Sequence, residues 1–311
     1  MKKIAIIGAT GYIGRSIVQE LLSGKVSFEL FLFSRSEAKL KSSVSNLPIR
    51  GRVTLGGLST FDTKKYDVII NCSGVGDPGV LKKDPAYVFA VTEEMDNLIL
   101  GYLEKNKKTL YINLSSGAVY GNNVQAPVAE GTSSVVTMKH LSPYEYYAIA
   151  KINSEAKHRS LKTYNIVDIR IFSFFSSLLD VDSSFLMSEI TGSLRDKKVF
   201  ITNEEDIIRD YITPKDLVTF LRLVIKKHSL NDFFDIYSKA PVSKLKLISS
   251  LKKKFGLEYV VTKRTNSKGA VSSSKKAYYP KSKKAEKVLG YAPTFTSLEG
   301  IEFELQKMNL K

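Results

Sequence analysis

The chain opens with the stretch that decides its fold, Lys2-Lys-Ile-Ala-Ile-Ile-Gly8-Ala-Thr-Gly11-Tyr-Ile-Gly14. The run before Gly8 is largely apolar and predicts a short buried strand, and the residues after Gly14 predict a helix. Glycines between a strand and a helix let the backbone turn tightly and approach a phosphate, and the N–H groups that begin a helix attract anions. The stretch therefore predicts a dinucleotide-binding turn, formed by Gly8, Thr10, Gly11, Tyr12, Ile13 and Gly14.

Outward from this turn, apolar strands alternate with helical patterns. Further strands are predicted at Phe28–Phe33, Asp67–Asn71, Thr109–Leu114 and Ile166–Ile171, and helices at Arg15–Leu22, Thr92–Lys105 and Pro143–Lys162. This rhythm is typical of an α/β fold, a doubly wound parallel sheet of the Rossmann type. After Ile171 the rhythm breaks, which favours a smaller C-terminal lobe. We predict a dinucleotide-binding domain at residues 1–171 plus about 207–238, and a substrate-binding lobe at 172–206 and 239–311.

The composition is that of a globular protein with a strong positive charge. Hydrophobic residues make up 43% of the 311 residues, and the net charge is +16. A single cysteine excludes an internal disulfide framework and fits a reducing compartment, and the three histidines are too scattered to predict a metal site. No run approaches membrane-spanning length, so we expect a soluble cytoplasmic protein. The charge is compatible with a solvated lysine surface or with an anionic ligand.

The end of the second strand bears on the choice of dinucleotide. A carboxylate at this place accepts hydrogen bonds from a ribose 2′-hydroxyl and repels a 2′-phosphate. The chain instead has Ser34 and Arg35, and a guanidinium can bind a phosphate through two hydrogen bonds. The sequence therefore favours NADP(H) over NAD(H).

Three side chains form a candidate catalytic group. Tyr147 precedes Lys151 by four residues, which places phenol and ammonium on one face of a helix. Ser142, Pro143 and Glu145 predict the start of that helix through a capping box. Ser116 follows the strand Thr109–Leu114.

With the glycine turn, these residues resemble the extended short-chain dehydrogenases/reductases that act as nucleotide-sugar epimerases, dehydratases or reductases. The resemblance implies that Ser116, Tyr147 and Lys151 are catalytic and that a homodimer forms. It also implies further contacts. Those to the cofactor would come from Leu58, Cys72, Ser73, Gly74, Tyr147, Lys151 and Phe172, and those to a nucleotide-diphosphate sugar from Ser116, Ser173, Arg209 and Tyr211.

One departure from the family pattern bears on the reaction. The 4,6-dehydratases of this family have Asp-Glu directly after the catalytic serine or threonine, whereas this chain has Gly117 and Ala118. Neither residue can transfer a proton, so dehydration is disfavoured.

The remaining hypotheses about the function differ in how the enzyme would use the cofactor. The preferred one is an NADPH-dependent reductase of a nucleotide-linked 4-keto-6-deoxy sugar, in the synthesis of surface-polysaccharide precursors. The alternative is a nucleotide-sugar epimerase with bound NAD(P). A third possibility, a non-catalytic binder of dinucleotides or nucleic acid, is disfavoured because a binder needs neither Tyr147 nor Ser116.

Overall fold

The centre of the protein is a parallel sheet of seven strands. The computed structural model describes residues 1–24, 28–45, 47, 53–121, 127–129, 131–134, 136, 138–139, 141–263 and 275–310. The strands of the sheet are β1 (Lys2–Ile7), β2 (Phe28–Ser34), β3 (Val53–Gly57), β4 (Val68–Asn71), β5 (Leu110–Ser116), β6 (Ile166–Ile171) and β11 (Asn231–Asp235). Their order is β3-β2-β1-β4-β5-β6-β11. The chain proceeds from β1 outward to β2 and β3, and then crosses to β4 on the other side of β1, so the strand order reverses between β1 and β4. A cleft is expected at such a reversal, outside the carboxyl ends of the strands.

Helices cover both faces of this sheet, which is why its central strands are apolar throughout. The helices between its strands are α1 (Tyr12–Ser23), α2 (Glu37–Val44), α3 (Pro78–Lys83), α4 (Ala86–Lys105), α5 (Pro143–Ser160) and α7 (Pro214–Lys227). Helices α1 and α7 pack into a core on one face, and α4 packs with aromatic residues on the other. The predicted Rossmann fold is confirmed.

The predicted elements match these bounds closely except at α4, which begins at Ala86 and not at Thr92, and three short elements, β3, α2 and α3, were missed. The capping box of Ser142 and Glu145 is present at the start of α5. Strand β3 and helix α2 were not predicted, because β3 is only half-buried and contains Gly56 and Gly57, and because α2 buries only Leu40 and Val44.

The remaining elements form a second group beside the cleft. They are β7 (Ser173–Phe174), α6 (Leu186–Asp196), β8 (Phe200–Asn203), β9 (Ile208–Arg209), β10 (Tyr211–Ile212), β12 (Val242–Ser243), α8 (Lys244–Phe255), β13 (Tyr259–Thr262), β14 (Ala277–Tyr278), α9 (Lys284–Leu289) and α10 (Ser297–Lys307). Many of them share a hydrophobic core, which includes Phe175, Leu247 and Ile301. Ala285 and Tyr291 instead pack into the core of α1 and α7. The predicted domain boundaries stay a prediction.

The first turn of α1 holds the segment that follows β7. The backbone N–H of Ser176 donates to the Tyr12 hydroxyl oxygen at 2.7 Å, and the Ser16 hydroxyl donates to that of Ser176 at 2.9 Å. The glycine turn is therefore joined directly to the segment that follows β7.

A buried network of charges connects α4, α5 and the sheet. The fully buried His158 lies between Asp96, 2.7 Å from Nε2, and Asp168, 2.9 Å from Nδ1. Lys157 pairs with Asp96 and Arg159 with Asp168. Burial alone would lower the pKa of His158, but hydrogen bonds and charges of the two aspartates outweigh it and raise that pKa to about 9. The imidazole is therefore held as a cation at neutral pH.

Among the described residues, no helix combines the length and apolar character needed to cross a membrane.

Candidate active site

A cleft of about 1310 Å³ lies at the carboxyl ends of the central strands, between the sheet and the second group of elements. This volume exceeds the range of about 300–1,000 Å³ that is usual for small-molecule sites. Its walls include most of the predicted site residues, namely Gly11, Tyr12, Ile13, Cys72, Ser73, Gly74, Ser116, Tyr147, Lys151, Phe172, Ser173, Arg209 and Tyr211. Gly8, Thr10, Gly14, Ser34, Arg35 and Leu58 lie outside these walls.

The glycine turn has the close backbone packing that a pyrophosphate site requires. Gly8 has a φ of +77°, which favours glycine. A Cβ atom at Gly14 would lie 2.2 Å from the carbonyl oxygen of Gly8, so no larger residue fits there. The start of α1 also lacks a side-chain cap, which leaves its first N–H groups available to an anion. These residues fit the pyrophosphate of a dinucleotide.

The end of β2 carries one exposed cation and one nearby carboxylate. The guanidinium of Arg35 donates to the hydroxyl of Tyr87, a residue of the cleft wall. The Ser34 hydroxyl is buried and already donates to the carbonyl oxygen of Ser36 at 2.7 Å. The carboxylate of Glu37, which the sequence analysis did not consider, lies 2.9 Å from the Cβ position of Gly57. Leu58 packs against the aromatic core on the α4 face.

The loop after β4 borders Lys151. The side-chain oxygen of Asn71 accepts from the N–H of Ser73 at 3.0 Å, which fixes the loop where it leaves the strand. A Cβ at Gly74 would lie 3.6 Å from Lys151 Nζ. Burial raises the pKa of the Cys72 thiol to about 12, against a smaller lowering by the charge of Lys151. Cys72 therefore contributes an uncharged side chain to the wall of the cleft.

Ser116, Tyr147 and Lys151 come together at the carboxyl end of β5. Lys151 is only 3% exposed, and its ammonium donates to the carbonyl oxygen of Leu114 at 3.0 Å. The same ammonium lies 5.9 Å from the ring centre of Tyr147. The Ser116 hydroxyl oxygen accepts from the N–H of Ala118 at 3.1 Å. The arrangement holds two hydroxyl groups and one desolvated cation beside the cleft.

Two aromatic residues occupy the space beside Gly117. A Cβ at Gly117 would lie 2.6 Å from the ring of Phe172 and 2.8 Å from the hydroxyl oxygen of Tyr278. Sequence reasoning missed Tyr278, since it lies far along the chain from the other site residues. It reaches the site because β14 pairs with β9, which sets Tyr278 opposite Arg209.

Three cations lie in the wall of the cleft that the second group of elements forms. The guanidinium of Arg209 and the ammonium of Lys275 lie 5.8 Å and 4.2 Å from the ring centre of Tyr278. Burial lowers the pKa of Lys275 to about 8, and the charge of Arg209 adds to this effect. Lys244 lies in the same wall and donates to the side chain of Asn203 at 2.6 Å. Arg209 and Lys275 both lie against the Tyr278 ring, and two neighbouring cations favour an anionic ligand.

A protein-family model described as the NAD dependent epimerase/dehydratase family matches residues 4–238. The chain therefore belongs to this family of enzymes. No curated protein matches the sequence.

Solved structures share the fold over nearly the whole chain. One is the UDP-glucuronic acid 4-epimerase from Bacillus cereus with UDP-glucuronic acid and NAD, with a TM-score of 0.78 and 20% identity over 99% of both chains. Another is the UDP-glucose-4-epimerase from Stenotrophomonas maltophila with NAD, with a TM-score of 0.79 and 16% identity over 99% of both chains. A third is the dTDP-glucose 4,6-dehydratase from Bacillus anthracis with NAD, with a TM-score of 0.74 and 14% identity over 98% of this chain and 96% of that one. At sequence identities of 14% to 20%, this structural similarity establishes the fold alone.

Proposed function

We propose that this protein is an NADPH-dependent reductase of a nucleotide-linked 4-keto-6-deoxy sugar, in the synthesis of surface-polysaccharide precursors. The single observation that carries this proposal is the exposed guanidinium of Arg35 at the end of β2, next to the cleft residue Tyr87. A guanidinium at this place suits a 2′-phosphate, and cells keep the phosphorylated dinucleotide in its reduced form for reductive reactions.

The roles of the catalytic residues follow from the charge that develops on the substrate. When bound by the glycine turn, a reduced nicotinamide cofactor would supply a hydride for the carbonyl carbon of the sugar. Tyr147 gives its proton to the carbonyl oxygen, and Ser116 donates a hydrogen bond to that oxygen as negative charge builds up there. Lys151, buried and held by the carbonyl of Leu114, places its positive charge 5.9 Å from the centre of the Tyr147 ring, where it attracts the negative charge that the proton transfer leaves on the phenol oxygen.

The substrate class follows from the opposite wall. Arg209, Lys275 and Lys244 all line the cleft, and burial lowers the pKa of each. A nucleotide diphosphate is an anion that a group of cations in one wall attracts. Ser173 and Tyr211 lie beside this wall and are proposed to contact the sugar.

The first test is an activity measurement with a panel of nucleotide-linked 4-keto-6-deoxy sugars. We expect NADPH absorbance to fall and the sugar product to gain two hydrogen atoms by mass. Tyr147→Phe, which keeps the ring, should lower the rate by a factor of about a hundred or more, while the neighbouring Tyr146→Phe should leave it nearly unchanged. A wild-type protein that oxidises no NADPH with any member of the panel would contradict the reductase.

The cofactor preference has its own test. Arg35→Ala should raise the KM for NADPH by a factor of about ten to a hundred, the value of a hydrogen bond to a charged group, and leave the KM for NADH unchanged. Lys39→Ala removes an exposed cation of the neighbouring helix α2 and serves as the control. An equal change in both KM values after Arg35→Ala would exclude a 2′-phosphate contact.

A second candidate is a nucleotide-sugar epimerase with bound NAD. The observation that favours it is the carboxylate of Glu37 beside Gly57, because a carboxylate near the adenosine ribose repels a 2′-phosphate. Such an enzyme would convert an ordinary nucleotide sugar into an isomer of the same mass without net use of NADPH. The same panel, extended to ordinary nucleotide sugars, distinguishes the two reactions.

We also propose that the protein forms a homodimer through α4 and α5. The outer face of α4 carries a stripe with short side chains that includes Ala90, Asn97 and Gly101, all exposed. Exposed Asn153 and Ala156 lie on α5, and Lys157 of α5 donates to Asn97 at 3.1 Å, so the two faces adjoin. Short side chains permit the close helix packing of such an interface.

A further inference from the structure

A series of buried hydrogen bonds leads from the loop after β4 into the core on the α4 face of the sheet. The side-chain NH2 group of Asn71 donates to the hydroxyl of Tyr111 at 3.1 Å, and that hydroxyl donates to a carboxylate oxygen of Asp96 at 3.0 Å. At the other end, the side-chain oxygen of Asn71 accepts from the N–H of Ser73. The three side chains are at most 4% exposed, so bulk water is not an alternative partner for their polar groups.

The charge of Asp96 sets the direction of these hydrogen bonds. Burial alone would raise the pKa of Asp96, but the hydrogen bonds and charges of His158 and Lys157 outweigh it and lower that pKa. The carboxyl group is therefore ionised at neutral pH, and an ionised carboxylate only accepts hydrogen bonds. Tyr111 consequently donates its one proton to Asp96, and its oxygen is left to accept from the NH2 group of Asn71. The amide of Asn71 is thereby fixed with its oxygen toward the loop.

The loop of residues 72–74 lies between two parts of the proposed dinucleotide site. A Cβ at Gly8, in the glycine turn, would lie 2.9 Å from the backbone nitrogen of Ser73. A Cβ at Gly74 would lie 3.6 Å from Lys151 Nζ. The loop thus packs against the glycine turn on one side and against Lys151 on the other, so a shift of the loop would change the site at both places.

We propose that Tyr111 is a positioning residue, whose hydroxyl links Asn71 to the buried carboxylate of Asp96 and so holds the loop after β4 in the place where a dinucleotide contacts it. This inference rests on the proposed function, because it assigns a dinucleotide to the cleft. Tyr111 itself lies outside the walls of the cleft, so it acts on the site through the loop.

The first test is a calorimetric titration of the full-length Tyr111→Phe variant with NADPH and NADH. This change removes only the hydroxyl. We expect the Kd of the dinucleotide that the wild type binds to rise about threefold to tenfold, as for residues that act on a site through others. An unchanged Kd would overturn the proposal.

Tyr102→Phe is the matched control for this titration. Tyr102 is 5% exposed and belongs to the same aromatic core, and its hydroxyl accepts from the N–H of Tyr66 at 2.8 Å. Its loss should lower the melting temperature about as much as Tyr111→Phe does, because each variant loses a buried hydrogen bond. The Kd of the dinucleotide should stay at the wild-type value, which separates positioning from a general loss of stability.

A double-mutant cycle tests whether Tyr111 acts through Asn71. In the Asn71→Ala background, Tyr111→Phe should leave the Kd of the dinucleotide unaltered, since the amide that receives its effect is gone. A rise in Kd that is equally large in both backgrounds would contradict the proposal, because Tyr111 would then act by another route.

Hydrogen exchange tests the loop without any ligand. We expect the N–H of Ser73 to exchange faster in Tyr111→Phe than in the wild type and in Tyr102→Phe, measured by mass spectrometry on peptides that cover the loop. Equal exchange in all three proteins would overturn the proposal. If the wild type binds neither dinucleotide, the proposed function fails, and the exchange of Ser73 then still decides whether Tyr111 holds the loop.

Discussion

At the residue scale, the absence of a side chain at Gly117 does two things. It removes the carboxylate that a dehydratase would have there, and it leaves room for the Phe172 ring and the Tyr278 hydroxyl, which would lie within 2.8 Å of a Cβ at this position. The sequence predicted the first effect from the residue type alone. The second depends on a strand pairing between distant segments, which no local pattern contains.

His158 illustrates the opposite case, a residue whose importance comes from burial. The sequence predicted nothing for it, since an isolated histidine has no ligand spacing. In the folded protein its pKa is raised to about 9, above its ordinary value of 6.5. The charged form therefore stabilises the fold fully below about pH 6.5, and this contribution is lost as the pH rises through about 9.

We predict that His158→Asn lowers the free energy of unfolding at neutral pH by roughly 3–5 kcal/mol, because it leaves Asp96 and Asp168 without their shared cation. The loss of stability between neutral and alkaline pH should also be smaller in this variant than in the wild type. Urea unfolding at a series of pH values measures both effects.

His228→Asn is the matched control for this experiment. Burial lowers the pKa of the half-buried His228 at the end of α7, so its imidazole is already neutral at neutral pH and this variant should keep the wild-type loss of stability between neutral and alkaline pH. An equal pH dependence in His158→Asn and the wild type would show that His158 is not the titrating group.

At the element scale, the strand–turn–helix unit of β1 and α1 is the part of the fold that sequence reasoning predicts best. Its strand, its glycines and its helix are adjacent in the chain, so local chemistry determines the geometry. Strand β3 and the paired strands β9 and β14 are held by partners from elsewhere, with two residues each in β9 and β14. Strands this short carry no periodic signal.

The glycine turn provides a direct test of this unit. Gly14→Ala should abolish dinucleotide binding and lower the melting temperature, because the new Cβ would lie 2.2 Å from the carbonyl oxygen of Gly8. Gly24→Ala, at the other end of the same helix, meets nothing within 4 Å and should change neither. Calorimetric titration with NADPH and NADH measures binding, and normal affinity in Gly14→Ala would refute the role of the turn.

At the scale of the whole molecule, residues from both groups of elements form the cleft. Ser116, Tyr147 and Lys151 come from the sheet side, and Arg209, Lys275 and Tyr278 come from the other. The wall of the cleft carries cations, Lys151, Arg209, Lys244 and Lys275, but also carboxylates, Asp77, Glu145, Asp180, Asp182, Glu189 and Glu205, so the net charge of +16 lies mainly outside the cleft. The sequence predicted the charge and its compatibility with an anionic ligand, but not its placement.

The proposed dimer is tested at this scale as well. Gly101→Arg places a long charged side chain on the outer face of α4, where a Cβ meets nothing within 4 Å, so the isolated chain should fold normally. We expect light scattering to show a dimer for the wild type and a monomer for this variant. Gly24→Arg, at an equally open position at the end of α1, should remain dimeric. A monomeric wild type would contradict the proposed dimer.

The hydrogen bond between Tyr12 and Ser176 has a kinetic consequence. Tyr12 lies between Gly11 and Gly14 of the predicted phosphate-binding turn, and Ser176 belongs to the segment that leads to the proposed substrate wall. A dinucleotide bound at the glycine turn would order that wall before the sugar nucleotide binds. We therefore expect compulsory-order kinetics, with the dinucleotide first, and Tyr12→Phe should relax the order toward random. Product-inhibition patterns that are random in the wild type would contradict such an order.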